Sequence, residues 1–177
     1  MVGRAQLFTE NTLYPVILVL DERRHFTQIF RLWGIVVTSN VVGAFLFALL
    51  AIKSAALRPE IAAQLVKLGL DSMHGSGAYF FWSGVIGGWL IAWVAWVVSR
   101  SHWTIGQVVM VCLLAFVVGV GRYAHCIATS GEILSAVLAG RLGAGVYLHW
   151  LLLATLAISL AAFVMVSLLN YGQVREA

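Results

Sequence analysis

Four stretches of this chain contain no Lys, Arg, Asp or Glu: Leu32 to Ile52, Gly75 to Ser99, Ser101 to Gly121 and Leu142 to Val174. Each reaches the roughly 20 residues that a helix needs to cross the hydrocarbon of a bilayer. Inside lipid, unpaired peptide groups find no water, so only helices and closed barrels can cross. Four helical spans follow, and with them an integral membrane protein. Composition agrees: 62% of the residues are hydrophobic, 10% are charged and the mean hydropathy is +0.95. A soluble domain carries charge on about a quarter of its residues. The expected organisation is one all-α transmembrane domain over residues 1–177, with spans near 32–52, 76–99, 103–121 and 146–169.

The formal charge of +4 and a pI near 9.4 do not point to nucleic acid. The eleven Lys and Arg are scattered among the connections, where anionic headgroups and the positive-inside effect account for them. One side collects Arg23, Arg24, Arg31, Arg100 and Arg175, the other Lys53, Arg58, Lys67 and Arg141. That narrow bias assigns the C-terminus and the Arg23-Arg24 loop to the cytoplasm. Residues 1–9 lack the long apolar core and cleavage site of a signal peptide. Cys112 and Cys126 form no C-x-x-C pair, so neither a disulfide framework nor a metal site is indicated.

Shorter pieces fill the connections. Asn11 to Leu20 is apolar but half the length of a span, as expected of an interfacial segment or a half-helix. Pro59 suits the first turn of a short helix whose apolar face is Ile61, Ala62, Leu65, Val66 and Leu68. Lys53 to Asp71 therefore reads as an interfacial connector, solvated surface and not part of a site. Gly84 with Gly88, and Ala115 with Gly119, have the small-x-x-x-small spacing that lets helices approach closely in lipid.

The residue that carries chemistry is His125, in Gly121-Arg122-Tyr123-Ala124-His125-Cys126-Ile127-Ala128-Thr129 at the end of the third run. An ionisable group within a membrane segment is costly and marks a functional site by default. Thr129 and Glu132 have capping-box spacing, so a half-helix over about 130–140 is expected. A span, an irregular break and a half-helix place a site at mid-membrane in transporters. A similar break at Gln6 to Thr12, with the short piece of residues 1–20, makes a weak internal repeat. Two breaks would aim backbone N–H groups and helix N-termini at a point where a small anion could rest. His125 adds a titratable proton there, which couples anion arrival to protonation. The plainer reading is a histidine that satisfies a carbonyl freed by the helix break.

His25, His74 and His102 fall in or beside connections, and His149 adjoins Trp150 near a span end. A haem between His125 and His149 is a weaker reading, because facing histidines at matched depth are not evident. Trp82, Trp89, Trp93, Trp96 and Trp103 suit interfacial belt and packing roles.

Taken in order, Gln6-Leu7-Phe8-Thr9, Arg31-Leu32-Trp33-Gly34, Ser39-Asn40-Val41-Val42-Gly43-Ala44, Ala124-His125-Cys126-Ile127-Ala128 and Leu169-Asn170-Tyr171-Gly172 resemble the formate/nitrite transporters. The resemblance covers nearly the whole chain. It implies an aquaporin-like helical bundle with two broken helices, assembled as a homopentamer with a pore in each protomer. It also implies passage of small monovalent anions such as formate, nitrite or hydrosulfide together with a proton, with no enzymatic activity and no cofactor. By the same resemblance Leu7 and Phe8 narrow the pore, the Thr9 hydroxyl faces it, His125 is the central pore histidine and Asn40 matches an asparagine of the third helix.

The chain also departs from that pattern. Relative to it the first helix and a half are missing, Gly88 stands where a pore-side asparagine is expected, and Ala157-Ile158 replaces a Gly-Asn pair. Arg122 replaces a small residue three positions before the histidine. The expected function is a multi-pass inner-membrane anion channel or transporter. The rivals are a non-transporting remnant or structural subunit and a haem-binding membrane subunit.

Overall fold

The computed structural model describes Phe8 and residues 26–166, and among these the regular structure is entirely helical. Over residues 26–166 six helices follow in order: α1 Phe26–Lys53, α2 Pro59–Asp71, α3 Gly77–Arg100, α4 Thr104–Val120, α5 Ala128–Leu138 and α6 Ala144–Val166. Three of them, α1, α3 and α6, are long and apolar enough to cross a membrane. The helix in the third apolar run, α4, has 17 residues and is shorter, because it ends at Val120 with Gly121 as its cap and the chain reverses at Arg122. Leu7, Thr9 and the Asn11 to Leu20 piece lie outside the described residues.

The helix ends follow local chemistry. Pro59 occupies the first turn of α2, where its missing N–H costs nothing. Ser76 caps α3 by accepting the Tyr79 N–H at 3.2 Å. At the end of α5, Gly140 takes φ +73, and the Arg141 and Gly140 N–H groups donate back to Ala136 and Val137 at 2.9 Å. This is the reversed turn that closes a helix through a left-handed residue, usually glycine.

The most extensive packing joins α3 to α6, side by side and parallel. A Cβ at Gly84 would stand 2.9 Å from Cβ of Ala157, and one at Gly88 2.9 Å from Ala161 Cβ and Ile158 Cα. The Gly84 and Gly88 spacing thus has the close-approach role its pattern implies. Ala115 and Gly119 do not: Gly119 has open space around it, and both residues line a cavity. Their small size makes room instead of contact.

The half-helix α5 is the most enclosed element, with Ser130, Gly131, Ile133, Leu134, Ser135 and Ala136 buried. On one side it lies against α1, where the Phe47 ring covers Gly131. On another, α2 crosses it so closely that Gly69 meets the Glu132 carbonyl and Ile133 Cα. The connector reading of Lys53 to Asp71 is therefore corrected. Its helix docks on α5, and its last turn reaches the cavity.

Candidate functional site

A cavity of about 470 Å³ lies among α2, α3, α4 and α5, with Trp150 of α6 in its wall. Its sides are mostly apolar, with Ile91, Val111, Leu114 and Val118 among them. Apolar walls with few polar groups are typical of small-ligand sites. Apart from Tyr79 and Tyr123, the polar groups here fall into two sets: Ser83, His125 and Thr129, and then Asp71, Ser72, Arg122 and Glu132.

His125 sits in the break between α4 and α5. The neighbouring Ala124 N–H donates to the Ser83 hydroxyl at 3.0 Å, and the Ala124 carbonyl lies where a Cβ on Gly87 would come within 2.9 Å. Gly87 is near the middle of α3, about 15 Å from its first residue at 1.5 Å per residue. The break is thus fixed near mid-span by a serine that binds its backbone and a glycine that admits it.

The expected capping box does not form. Helix α5 begins at Ala128, and it is the His125 ring that caps it: Nδ1 accepts the Ile127 N–H at 3.3 Å and the Ala128 N–H at 3.1 Å. Thr129 Oγ1 accepts the His125 N–H at 3.4 Å, and the Thr129 N–H returns to the His125 carbonyl at 3.0 Å. Glu132 turns away and accepts from Ser72 Oγ at 3.2 Å. With Nδ1 an acceptor twice over, the proton of the neutral ring is carried on Nε2. The plain reading expected the ring to satisfy a carbonyl freed by the break; the bonds instead run from the Ile127 and Ala128 amides to the ring.

Behind the ring, the loop is held by a second chain of hydroxyls. Tyr147 OH donates to Ser130 Oγ at 3.1 Å, Ser130 Oγ donates to the Cys126 carbonyl, and the Tyr147 ring stacks on Trp150 with centroids 6.4 Å apart. Cys126 is fully buried, whereas Cys112 is exposed on α4. Neither joins a cluster of three metal-ligating groups among the described residues.

Phe8 and Asn40 are brought together. The Phe8 N–H donates to Asn40 Oδ1 at 3.0 Å across 32 positions of sequence, and the Phe8 ring meets Trp33 edge-on at 6.1 Å. Phe8 is buried in the same apolar cluster as Ala124, Cys126 and Trp150, but neither Phe8 nor Asn40 lines the cavity. His149 is exposed at the start of α6 beside Gly77 and also lies outside the cavity lining.

Ser83, Asp71 and Ser72 escaped the sequence reading, and Glu132 entered it only as a capping residue. Ser83 lies in a span with no polar partner nearby in sequence, and Glu132 meets Ser72 across 60 positions. Only Arg122 carried a signal, as a departure from the expected pattern.

Against known proteins, the profile described as formate/nitrite transporter matches residues 1–172. The chain belongs to the formate/nitrite transporter family. A relative in Escherichia coli (strain K12), the inner membrane protein YfdC, is 28% identical over 179 residues. That alignment covers 99% of this chain and 57% of the relative, so this formate/nitrite transporter family chain spans a little over half the relative's length.

Proposed function

We propose that the protein is a multi-pass inner-membrane channel or transporter for small monovalent weak-acid anions of the formate, nitrite or hydrosulfide type, with His125 as its central, proton-linked donor. The observation that carries this reading is the His125 ring in the wall of a mostly apolar cavity near mid-span, with Nδ1 committed to backbone amides.

A bare ion in low dielectric faces a penalty on the order of 20 kcal/mol in the idealised limit, and several kcal/mol after relaxation. The Nε2–H of His125 offers such an ion a hydrogen bond that its charge strengthens. An anion beside the ring also favours the imidazolium. Forming that cation places a proton on Nδ1, which must first release the Ile127 and Ala128 amides. Proton-linked passage then includes a rearrangement of the first turn of α5. Transfer of the proton lets the weak acid cross the apolar stretch as a neutral molecule.

Phe8 and Asn40 support the pathway by tying Phe8, which the resemblance places at the first break together with its sequence neighbours Leu7 and Thr9, to α1. The resemblance supports a homopentamer. The haem reading finds no support in this cavity, which His125 lines and His149 does not.

The test is flux of formate, nitrite and hydrosulfide into liposomes holding the purified chain. Wild type is expected to pass at least one of them, and His125→Ala to change the rate or its pH dependence. Equal fluxes for both forms at every pH would remove the histidine from the mechanism, and no flux from the wild type would favour a structural subunit.

A further inference from the structure

Helices α4 and α5 end in the same reversed turn, but with different residues at its pivot. In α5 the pivot is Gly140; in α4 it is Arg122, at φ 51, whose N–H donates to Gly119 at 3.3 Å while Tyr123 N–H donates to Val118 at 3.2 Å. Left-handed backbone disfavours every residue with a Cβ and is readily adopted by glycine. An arginine thus stands where the main chain favours glycine, so its side chain must be explained by what it reaches.

It reaches the outer part of the cavity. Arg122 Nη1 lies 3.7 Å from Asp71 Oδ2, and the arginine side chain is 66% exposed. Asp71 also faces His74 at 4.0 Å, while Glu132, bound by Ser72, feels the Arg122 charge. An ion pair this long and this open is weak and exchangeable. All four of Asp71, Ser72, Arg122 and Glu132 line the cavity that His125 lines farther along the same loop.

Resting on the transport reading above, we propose that Arg122 is an anion-recruiting residue. Its guanidinium leaves Asp71 for an incoming small monoanion and holds it at the mouth of the cavity, from which it passes to His125. A planar guanidinium suits a carboxylate or nitrite through two parallel hydrogen bonds. Asp71 is the resident competitor: it holds the guanidinium in place when no anion is bound and keeps affinity low enough for release, as conduction requires.

The experiment combines saturation-transfer NMR of formate on the purified chain in detergent with formate flux in liposomes. Asp71→Asn frees the guanidinium and is expected to tighten formate binding about three-fold, since only a weak pair is removed. Arg122→Gln is expected to weaken it about ten-fold, and Arg122→Lys to fall between, as a charge without the fork. The half-saturation of flux should move with the binding constants. Binding constants unchanged in both Asp71→Asn and Arg122→Gln overturn the proposal, whether or not the protein passes formate. If binding shifts as expected but the wild type passes no formate, the Arg122 site stands and the transport reading fails. A wild type that passes formate with a half-saturation indifferent to both variants leaves transport standing and removes Arg122. A wild type that neither binds nor passes formate ends both.

Discussion

At the scale of the residue, the structure gives His125 two jobs with its two nitrogens: Nδ1 closes the first turn of α5 and Nε2 carries the proton. Nitrogen-15 NMR of histidine-labelled protein without anion should therefore show an unprotonated Nδ1 and a protonated Nε2 for this ring. The opposite tautomer would break the capping assignment. His125→Phe keeps a ring but loses the cap, and thermal unfolding should register a loss of about 1 kcal/mol, the usual effect of removing a helix N-cap. Arg122 offers a cleaner comparison. Arg122→Gly and Arg122→Ala both lack the ion pair with Asp71, but only glycine relaxes φ 51. The glycine variant should be the more stable of the two by about 1 kcal/mol, and equal melting temperatures would deny the strain. His125 was legible in the sequence because an imidazole inside apolar sequence needs a reason. Asp71 and Glu132 were not, because their partners come from other elements.

The element that organises the site is the half-helix α5, which α1 and α2 enclose. Its existence could be read from the break after Gly121 and the stop at Gly140-Arg141. Its start could not, because the sequence offered a Thr129-Glu132 capping box and the fold used an imidazole three residues upstream of the helix instead. Glu132 was diverted to Ser72 once α2 had docked. That α3 approaches another helix closely was legible from Gly84 and Gly88, whereas its partner α6 was not, and the contact makes a graded prediction. Gly88→Val should cost about 1–3 kcal/mol by forcing the two backbones apart, measured by thermal unfolding in detergent. Gly34→Ala on α1, where a Cβ meets nothing within 4 Å, should instead be neutral or stabilising by up to about 1 kcal/mol through helix propensity. The same spacing at Ala115 and Gly119 meant something else, since small side chains leave space whether or not a second helix fills it.

Across the whole molecule, the large apolar side chains divide by position. Ile35, Leu46 and Leu50 on α1 and Ile105, Leu113 and Phe116 on α4 face outward, and α4 has no buried residue at all. Such faces suit lipid or neighbouring subunits. Light scattering of the detergent-solubilised chain should return a multiple of the 19.3 kDa protomer, five-fold by the proposed assembly, and a protomer mass alone would leave those faces to lipid. The sequence by itself determined the membrane, the helical class and the family, and it singled out His125 for test. Each of these follows from local quantities: the length of an uncharged run, the cost of an ionisable group in lipid, or an ordered set of short motifs. Only the tertiary structure decided that α2 belongs to the site, that Asn40 holds Phe8, that Nδ1 faces amides, and that Arg122 meets Asp71 in the cavity. Those depend on which distant groups the packing of Gly69 on α5, and of Gly87 on the loop, brings within hydrogen-bond or ion-pair reach, and no spacing along the chain encodes that distance.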